Sequence, residues 1–215
     1  MRIKIFTVNP FSENSYLYYD DISGDGILID PGFSNASEEK QLDDFVISNN
    51  IHMKYIINTH GHIDHMLGNS YAKEKYACPL LIHEQDVFLL NKAPEQGRMF
   101  GVDVKPSPPP DDYITDSTKI ELNGTLLEFI HTPGHSPGGI CIIDKSNKTV
   151  FTGDLIFLQS VGRTDLPGGD FEILMDSIMN KLFGICSDDF VLYPGHMEQT
   201  TVKNEKRFNP FLQKD

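Results

Sequence analysis

The chain has 215 residues, of which 39% are hydrophobic, and a formal net charge of −13 at pH 7. This length and hydrophobic content suffice for one buried core, so we predict a single domain over residues 1–215. Its lysines and arginines are scattered apart from a small group near the C-terminus, and no basic stripe is present to bind a phosphate backbone. These features argue against a nucleic-acid partner.

The apolar runs and the cysteines bear on the cellular compartment. The first residues, MRIKIFTVNPF, are too short and too polar in pattern for a signal peptide, and no later apolar run reaches membrane-spanning length. We therefore expect a cytoplasmic protein without a membrane partner. Cys78, Cys141 and Cys186 lie far apart without Cys-x-x-Cys spacing, which predicts buried free thiols instead of disulfides or a structural zinc site.

The N-terminal half alternates predicted strands and helices. The predicted strands cover residues 4–8, 16–19, 26–29, 54–58 and 80–83. Asn35, with Glu38 three residues later, predicts the start of a helix whose apolar residues share one stripe. A second helix is predicted over residues 66–76, between the last two strands. This order is typical of an α/β fold.

Residues 93–112 interrupt the pattern with five prolines and two glycines. This composition discourages regular structure, and the segment is longer than most connections in compact domains. We predict an irregular segment that serves as a linker, a lid or a bridge between two half-domains.

The C-terminal half repeats the arrangement of the first. Its predicted strands cover residues 119–122, 126–131, 139–143, 150–152 and 190–193. The helical spacing of Phe171, Leu174, Ile178 and Leu182 predicts a helix, with Asp170 as N-cap and Gly184 near the C-cap. Two sheets, each covered by helices on one face, would pack into a four-layer sandwich with the helices outside. Polar residues at the strand ends would then meet along one rim.

The stretch NTHGHIDHMLGN, which follows a predicted strand, concentrates possible metal ligands. His60 and His62 are two residues apart, so extended backbone would point both imidazoles the same way. Asp64 and His65 add an oxygen and a nitrogen ligand, and Gly61 gives the backbone room to bend. Four ligands from one loop could serve two adjacent metal ions.

Three further candidate ligands follow predicted strands and a nearby glycine: His135 in HTPGHSPGG, Asp154 in FTGDLIF and His196 in YPGHMEQ. Each one alone is more often an ordinary loop residue, but together they complete two sets of ligands. The sets are His60, His62 and His135, and Asp64, His65 and His196. Asp154 could bridge both through its two carboxylate oxygens. This is the ligand inventory of a two-metal hydrolytic centre.

The ordered T-H-x-H-x-D-H pattern, with H, D and H later in the chain, resembles the metallo-β-lactamase superfamily over the whole length. TPGHSPGG, TGDLIF and YPGH are most similar to the glyoxalase II-like (hydroxyacylglutathione hydrolase-like) branch. The resemblance implies a four-layer αββα sandwich. It also implies two divalent metal ions, with zinc as the first expectation and iron or manganese as alternatives.

The expected function is hydrolysis of a small thioester or ester. Two metals that share Asp154 and a water would lower the pKa of that water from about 15.7 towards roughly 7, giving a metal-bound hydroxide as nucleophile. Asp64, besides binding a metal, could orient this hydroxide. We therefore predict Asp64 and Asp154 as catalytic residues and a small acyl-thiol or ester as substrate.

Two departures from glyoxalase II argue against glutathione as the substrate. Glyoxalase II enzymes carry a C-terminal helical region that helps to hold glutathione, and we expect no such region from the short sequence after His196. They also have an aromatic stretch where this sequence has Gly162-Arg163-Thr164-Asp165. The GRTD sequence also occurs in related persulfide dioxygenases, which use one iron held by two histidines and an aspartate of the same motif. An iron-dependent persulfide dioxygenase is thus the alternative function.

The basic residues leave alternatives open. Arg163 could bind a substrate carboxylate through two hydrogen bonds, or could pair with Asp165 or Asp170 and stabilise its own loop. Lys203, Lys206 and Arg207 have helical spacing, and they could attract an anionic substrate or form a solvated helix face. The sequence does not predict the oligomeric state.

Overall fold

The computed structural model describes residues 1–102, 104 and 106–213. The strands in chain order are β1 (Arg2–Val8), β2 (Glu13–Tyr19), β3 (Asp25–Ile29), β4 (His52–Ile57), β5 (Leu80–His83), β6 (Asp112–Ile114), β7 (Lys119–Leu122), β8 (Thr125–His131), β9 (Ile140–Asp144), β10 (Thr149–Gly153), β11 (Ile156–Phe157), β12 (Ser160–Val161), β13 (Val191–Pro194) and β14 (Thr200–Thr201). The α-helices are α1 (Ala36–Ser48), α2 (Asn69–Tyr76), α3 (Val87–Asn91), α4 (Ala93–Phe100), α5 (Phe171–Asp176), α6 (Phe183–Ile185) and α7 (Val202–Phe208). A π-helical stretch, Ser177–Leu182, joins α5 to α6.

The strands form two large sheets and a small hairpin. The first sheet has the order β1-β2-β3-β4-β5-β6, and the second has the order β14-β13-β10-β9-β8-β7. In the first sheet β1, β2 and β3 pair antiparallel, whereas β4, β5 and β6 add in parallel. In the second sheet the β10–β13 pair is parallel. Strands β11 and β12 form a separate hairpin next to the second sheet.

The two large sheets face each other across an apolar core. The first sheet contributes Tyr18 and Ile29, and the second contributes Phe129, Ile142 and Phe151, all nearly fully buried. Burying each such side chain stabilises the fold by roughly 1.5–3 kcal/mol. The Tyr18 hydroxyl donates across the core to the Asp144 carboxylate at 2.6 Å. The core therefore fixes the two sheets relative to each other.

Helices cover the outer faces of both sheets. Leu42 and Val46 of α1, with Ala72 of α2, pack on the first sheet. Leu174 of α5 and Leu182 of the π-helical stretch pack on the second. The layers therefore run helix, sheet, sheet, helix, which confirms the predicted αββα sandwich.

Most predicted elements agree with the structure. Each strand predicted from the sequence overlaps an observed strand, and the Asn35 side chain caps α1 by accepting from the Ser37 and Glu38 amides. Asp170 likewise caps α5 by accepting from the Ile173 amide. The three cysteines are buried free thiols, as predicted. Within the described ranges, no helix is long and apolar enough to cross a membrane.

The prediction of irregular structure for residues 93–112 was wrong for the first eight residues. Helix α4 occupies Ala93–Phe100, and Pro94 is tolerated because it lies in the first turn, where its missing N–H has no helical partner. Gly97 lets the following chain pack closely, since a Cβ there would lie 2.7 Å from Val104 Cγ2. Positions 103 and 105 of this segment lie outside the described residues. The second helix also begins later than predicted, at Asn69, because residues 66–68 form a turn between it and the 3-10 turn Ile63–His65.

Candidate metal centre

The structure brings all the predicted ligands together at one rim of the sandwich. His60 and His62 follow β4, His135 follows β8, Asp154 follows β10, and His196 follows β13. Asp64 and His65 lie in the 3-10 turn before α2. The carboxyl ends of strands from both sheets meet at this rim, which explains why residues far apart in the chain become neighbours.

The three-histidine group is compact and buried. Ligand atoms of His60, His62 and His135 all lie within 4.8 Å of one another. His62 Nδ1 lies 2.8 Å from His135 Nε2, and the His60 ring centroid lies 4.8 Å from each of the other two. These spacings suit one cation held by three imidazoles.

The second predicted group, Asp64, His65 and His196, also has its ligand atoms within 4.8 Å of one another. Asp64 Oδ2 lies 3.1 Å from His196 Nε2 and 3.8 Å from His65 Nε2. The Asp154 carboxylate lies between the two groups. Its Oδ1 is 3.3 Å from His65 Nε2, and its Oδ2 is 3.5 Å from His135 Nε2. Each oxygen of Asp154 therefore lies near one of the two groups, and its role as a bridging ligand stays a prediction.

Unpartnered buried atoms provide a test of whether this cluster suits metal ions. Buried polar atoms normally have a hydrogen-bond partner, so an exception needs an explanation. In the described part of the chain, the buried side-chain N and O atoms without a partner are Glu13 Oε1, His60 Nε2, His62 Nε2, His65 Nε2 and Asp154 Oδ1. All but the first belong to predicted ligands. The donor set therefore fits metal ions, because bound cations would satisfy the lone pairs of His60 Nε2, His65 Nε2 and Asp154 Oδ1.

Electrostatics divide the cluster into two sides. Burial, reinforced by His135, lowers the pKa of His62 to about 3, and burial also lowers the pKa of His60 well below its usual value. Burial opposes charge on His65 as well, but Asp154 and Asp64 outweigh it and raise the pKa of His65. Burial thus favours neutral imidazoles at His60 and His62, the form that binds metals, whereas the carboxylates of Asp154 and Asp64 place negative charge beside His65.

Hydrogen bonds orient the ligand rings. The hydrogen-bond network assigns Nδ1–H of His65 as donor to Asp30 Oδ2 at 3.0 Å and Nδ1–H of His135 as donor to the Arg163 carbonyl at 2.7 Å. Asp30 also accepts from the Thr59 amide and hydroxyl, each at 2.6 Å. Because each Nδ1 carries the proton, each Nε2 presents its lone pair to the centre.

Asp86 ties the two histidine loops together. Its buried carboxylate accepts from the Gly61 amide at 2.9 Å, the Ser136 hydroxyl at 2.7 Å and the Gly138 amide at 2.5 Å. Gly61 lies between His60 and His62, and Ser136 directly follows His135. Burial raises the pKa of Asp86, while the three donors oppose that shift. Asp86 therefore sets the distance between loops that come from different sheets.

Glycines leave space for this packing. A Cβ at Gly195 would overlap Asp154 Oδ1 and the His65 ring. A Cβ at Gly61 would lie 2.7 Å from Leu89 Cβ, so Gly61 is needed for close approach to α3 as well as for the bend predicted from the sequence.

Glu13 is buried behind His65. Its Oε1 lies 3.9 Å from His65 Nδ1, and its Oε2 accepts from the Ser15 hydroxyl at 2.9 Å. Burial raises the pKa of Glu13 well above its usual range, although the charge of His65 opposes this shift. This carboxyl adds a further acidic group behind the predicted ligands.

The structure decides between the alternatives that the sequence left open for the basic residues. The Arg163 guanidinium donates to both oxygens of Asp165, at 2.6 and 2.7 Å, so the loop-stabilising alternative describes the structure. Lys206 pairs with Asp188, and none of Lys203, Lys206 and Arg207 is among the described residues that line the cleft over the cluster. These three therefore lie on a solvated helix face.

A cleft of about 660 Å³ opens over Asp64, Asp154 and His196. Its walls include Phe11 of the β1–β2 connection and Phe100 of α4. Phe157 and Val161 of the β11–β12 hairpin also line it. The cleft gives a small molecule access to the carboxylate side of the cluster.

Asp30, Asp86, Glu13 and the aromatic residues of the cleft belong to the site but were not predicted from the sequence. Asp30 lies in an Asp-Pro-Gly sequence, a pattern that indicates only the end of a strand. Asp86 precedes an apolar run, a pattern that indicates a helix N-cap, but its side chain makes no cap hydrogen bond and turns to the ligand loops instead. The sequence pattern therefore marks Asp86 as a possible capping residue, but it does not indicate the groups that Asp86 binds.

The fold and the site together define a class of protein: a four-layer αββα sandwich with a cluster of candidate metal ligands at the rim between its sheets. The chain belongs to the metallo-beta-lactamase superfamily, which it matches over residues 8–196. It is 36% identical over 214 residues to hydroxyacylglutathione hydrolase GloC of Haemophilus influenzae, covering 99% of this chain and 98% of the relative.

Two solved structures are also similar to the chain. The BLEG-1 B3 metallo-beta-lactamase superposes with a TM-score of 0.90 at 27% identity, covering 99% of this chain and 100% of the other. TTHA1623 in a di-iron-bound form gives a TM-score of 0.86 at 32% identity, covering 97% and 100%. These similarities agree with the fold, and the second solved structure is that of a di-iron-bound protein.

Proposed function

We propose that this protein is a metal-dependent hydrolase that cleaves small thioesters or esters at a dinuclear centre. The observation that carries the proposal is the buried cluster of histidine and aspartate ligands with unpartnered nitrogen and oxygen atoms. The relative named as a hydroxyacylglutathione hydrolase supports thioester hydrolysis as the reaction.

Two divalent ions would be held by the two ligand groups. His60, His62 and His135 would hold one, Asp64, His65 and His196 the other, and Asp154 would contact both. Zinc suits these nitrogen and oxygen donors, and iron or manganese are the alternatives. When bound, the ions supply an activated water at neutral pH and polarise the scissile carbonyl.

The reaction breaks the C–S or C–O bond of the substrate and forms a new C–O bond with the oxygen of water. One proton of the water goes to the leaving thiol or alcohol, and the other is released as the carboxylic acid ionises. Asp64 lines the cleft, where its carboxylate would orient the attacking water and pass one of its protons to the leaving thiol or alcohol. Asp154 maintains the separation of the two ligand groups.

Metal analysis of the purified protein, followed by a panel of acyl-thiol substrates, tests this proposal. We expect about two divalent ions per chain and a His62→Ala variant that loses at least about 100-fold in kcat/KM. His52→Ala is the matched control, because the His52 side chain is 57% exposed and lies outside the cluster. Fewer than about one ion per chain, with no hydrolysis of any panel member, would refute the proposal.

Iron-dependent persulfide oxidation is the second candidate, favoured by the Gly162-Arg163-Thr164-Asp165 sequence beside His135. The iron-loaded protein would be assayed for oxygen consumption with glutathione persulfide. One iron per chain together with oxygen uptake would favour this candidate, and the absence of uptake would exclude it.

A further inference from the structure

The cleft over the cluster carries information about the substrate. Apart from the predicted ligands, Arg163 is the one charged residue among the described residues that line it. Nε and Nη2 of Arg163 donate to the two oxygens of Asp165, and this pairing lowers the pKa of Asp165 to about 2. The positive charge at the mouth is therefore already compensated within the chain.

The Arg163 backbone is also held in place. Its carbonyl accepts from His135 Nδ1 at 2.7 Å, so the peptide unit stays at the cluster while the side chain turns to Asp165. A substrate with free carboxylates, such as a glutathione thioester, finds no unpaired cation on the described lining. The net charge of −13 adds a general repulsion of anions.

The remaining wall is apolar and aromatic. The rings of Phe11 and Phe100 meet edge to face with centroids 5.4 Å apart, and Phe100 keeps 43% of its surface exposed. Phe157 packs edge to face on the His196 ring at 6.0 Å, so it connects the wall to the cluster. An apolar group seated here would cover exposed aromatic surface directly beside the ligands.

We propose that the cleft takes an apolar, carboxylate-free acyl thioester, whose acyl group packs on the Phe11–Phe100 wall with Phe100 as a specificity-determining residue. This inference rests on the proposed hydrolase function. Burial of each additional methylene against such a wall is worth about four-fold in kcat/KM. Selectivity should therefore rise with acyl size until the cleft is filled.

The test compares two substrate series with the metal-replete enzyme. One series joins acetyl, butanoyl, hexanoyl and phenylacetyl groups to the uncharged thiol N-acetylcysteamine, and the other joins the same acyl groups to glutathione. We expect kcat/KM to rise along the first series by about four-fold per methylene. We also expect each glutathione thioester to be the slower member of its pair.

Two variants sharpen the comparison. Phe100→Ala should flatten the dependence on acyl size, mainly through KM, whereas Phe171→Ala should retain it. Phe171 is a matched control because it is 44% exposed and is not one of the cleft residues. Arg163→Ala should change both series by the same factor, since its guanidinium pairs with Asp165 in place of a substrate.

The outcomes separate this inference from the proposed function. If no thioester of either series is hydrolysed, the proposed function fails. If hydrolysis occurs but glutathione thioesters are preferred, or Arg163→Ala selectively lowers their turnover, the inference is overturned while the hydrolase function stands. Dependence on acyl size that survives in Phe100→Ala would also overturn it.

Discussion

Replacing Asp86 by alanine removes the link between the two histidine loops. The variant leaves three buried donors without their acceptor: the Gly61 amide, the Ser136 hydroxyl and the Gly138 amide. An unsatisfied buried donor costs about 1–3 kcal/mol, and local relaxation lowers the sum. We expect Asp86→Ala to lose about 3–5 kcal/mol of the free energy of unfolding.

Because Asp86 acts through the loops, its effect should reach the metal centre without a direct contact to substrate. Loss of a hydrogen-bond partner that orients metal ligands typically weakens metal affinity by about 10–100-fold. We therefore expect a similar loss for Asp86→Ala. Urea unfolding measures the stability, and competition with a chromogenic chelator measures the metal affinity.

Asp86→Asn provides the conservative comparison. Its amide oxygen can still accept from the Gly61 amide and the Ser136 hydroxyl, while its NH2 group faces the Gly138 amide. We expect about half the loss seen in Asp86→Ala, with partial rescue of metal affinity. Asp116→Ala is a control, since Asp116 accepts the His131 amide at an exposed site. If the free energy of unfolding of Asp86→Ala lies within about 0.5 kcal/mol of the parent value and the variant binds metal equally well, the reasoning is refuted.

Three further changes have expected outcomes. Gly195→Ala should lower metal occupancy because its Cβ would overlap Asp154 and His65, whereas Gly184→Ala, where a Cβ meets nothing within 4 Å, should leave occupancy unchanged; equal occupancy in both would contradict this. Glu205→Ala should destabilise the fold by about 3 kcal/mol, because its buried carboxylate accepts from the Gln159 amide in the β11–β12 turn at 2.8 Å. KM should rise several-fold, since this hairpin lines the cleft. An unchanged KM would show that the hairpin keeps its position without Glu205. Removing the metal with a chelator should lower Tm by about 5–10 °C relative to the protein in free zinc at about 100 times its Kd, and adding zinc back should restore Tm. A Tm that does not depend on zinc would argue against binding to the folded cluster.

The strands and the candidate ligands could be predicted because both depend on local patterns. Alternating apolar residues mark a strand whatever its partners are, and His60 and His62 are predicted to share a side because extended backbone has a period of two. Helix α4 was missed because prolines in residues 93–112 suggested irregular structure, although Pro94 lies in a first turn that accepts it. Local composition was a poor guide where position within the helix decided the effect.

The contacts that hold the centre together could not be predicted in the same way. Asp86 lies 25 residues from Gly61 and 50 from Ser136, and nothing in the spacing selects it from the other acidic residues. The sequence allowed two roles for Arg163, substrate binding or stabilisation of its own loop. The pairing with Asp165 depends on the path of that loop. The aromatic wall joins Phe11 to Phe100 from distant parts of the chain.

The sequence by itself determined the chemical inventory: which residues can bind metal, which strands precede them, and the superfamily they indicate. Those features follow from side-chain type and backbone period, which are properties of short segments. Only the tertiary structure decided how the ligands are oriented, which carboxylate links their loops, and which side chains surround the cleft. These depend on packing two sheets face to face, because only that packing brings groups from distant segments within hydrogen-bonding distance.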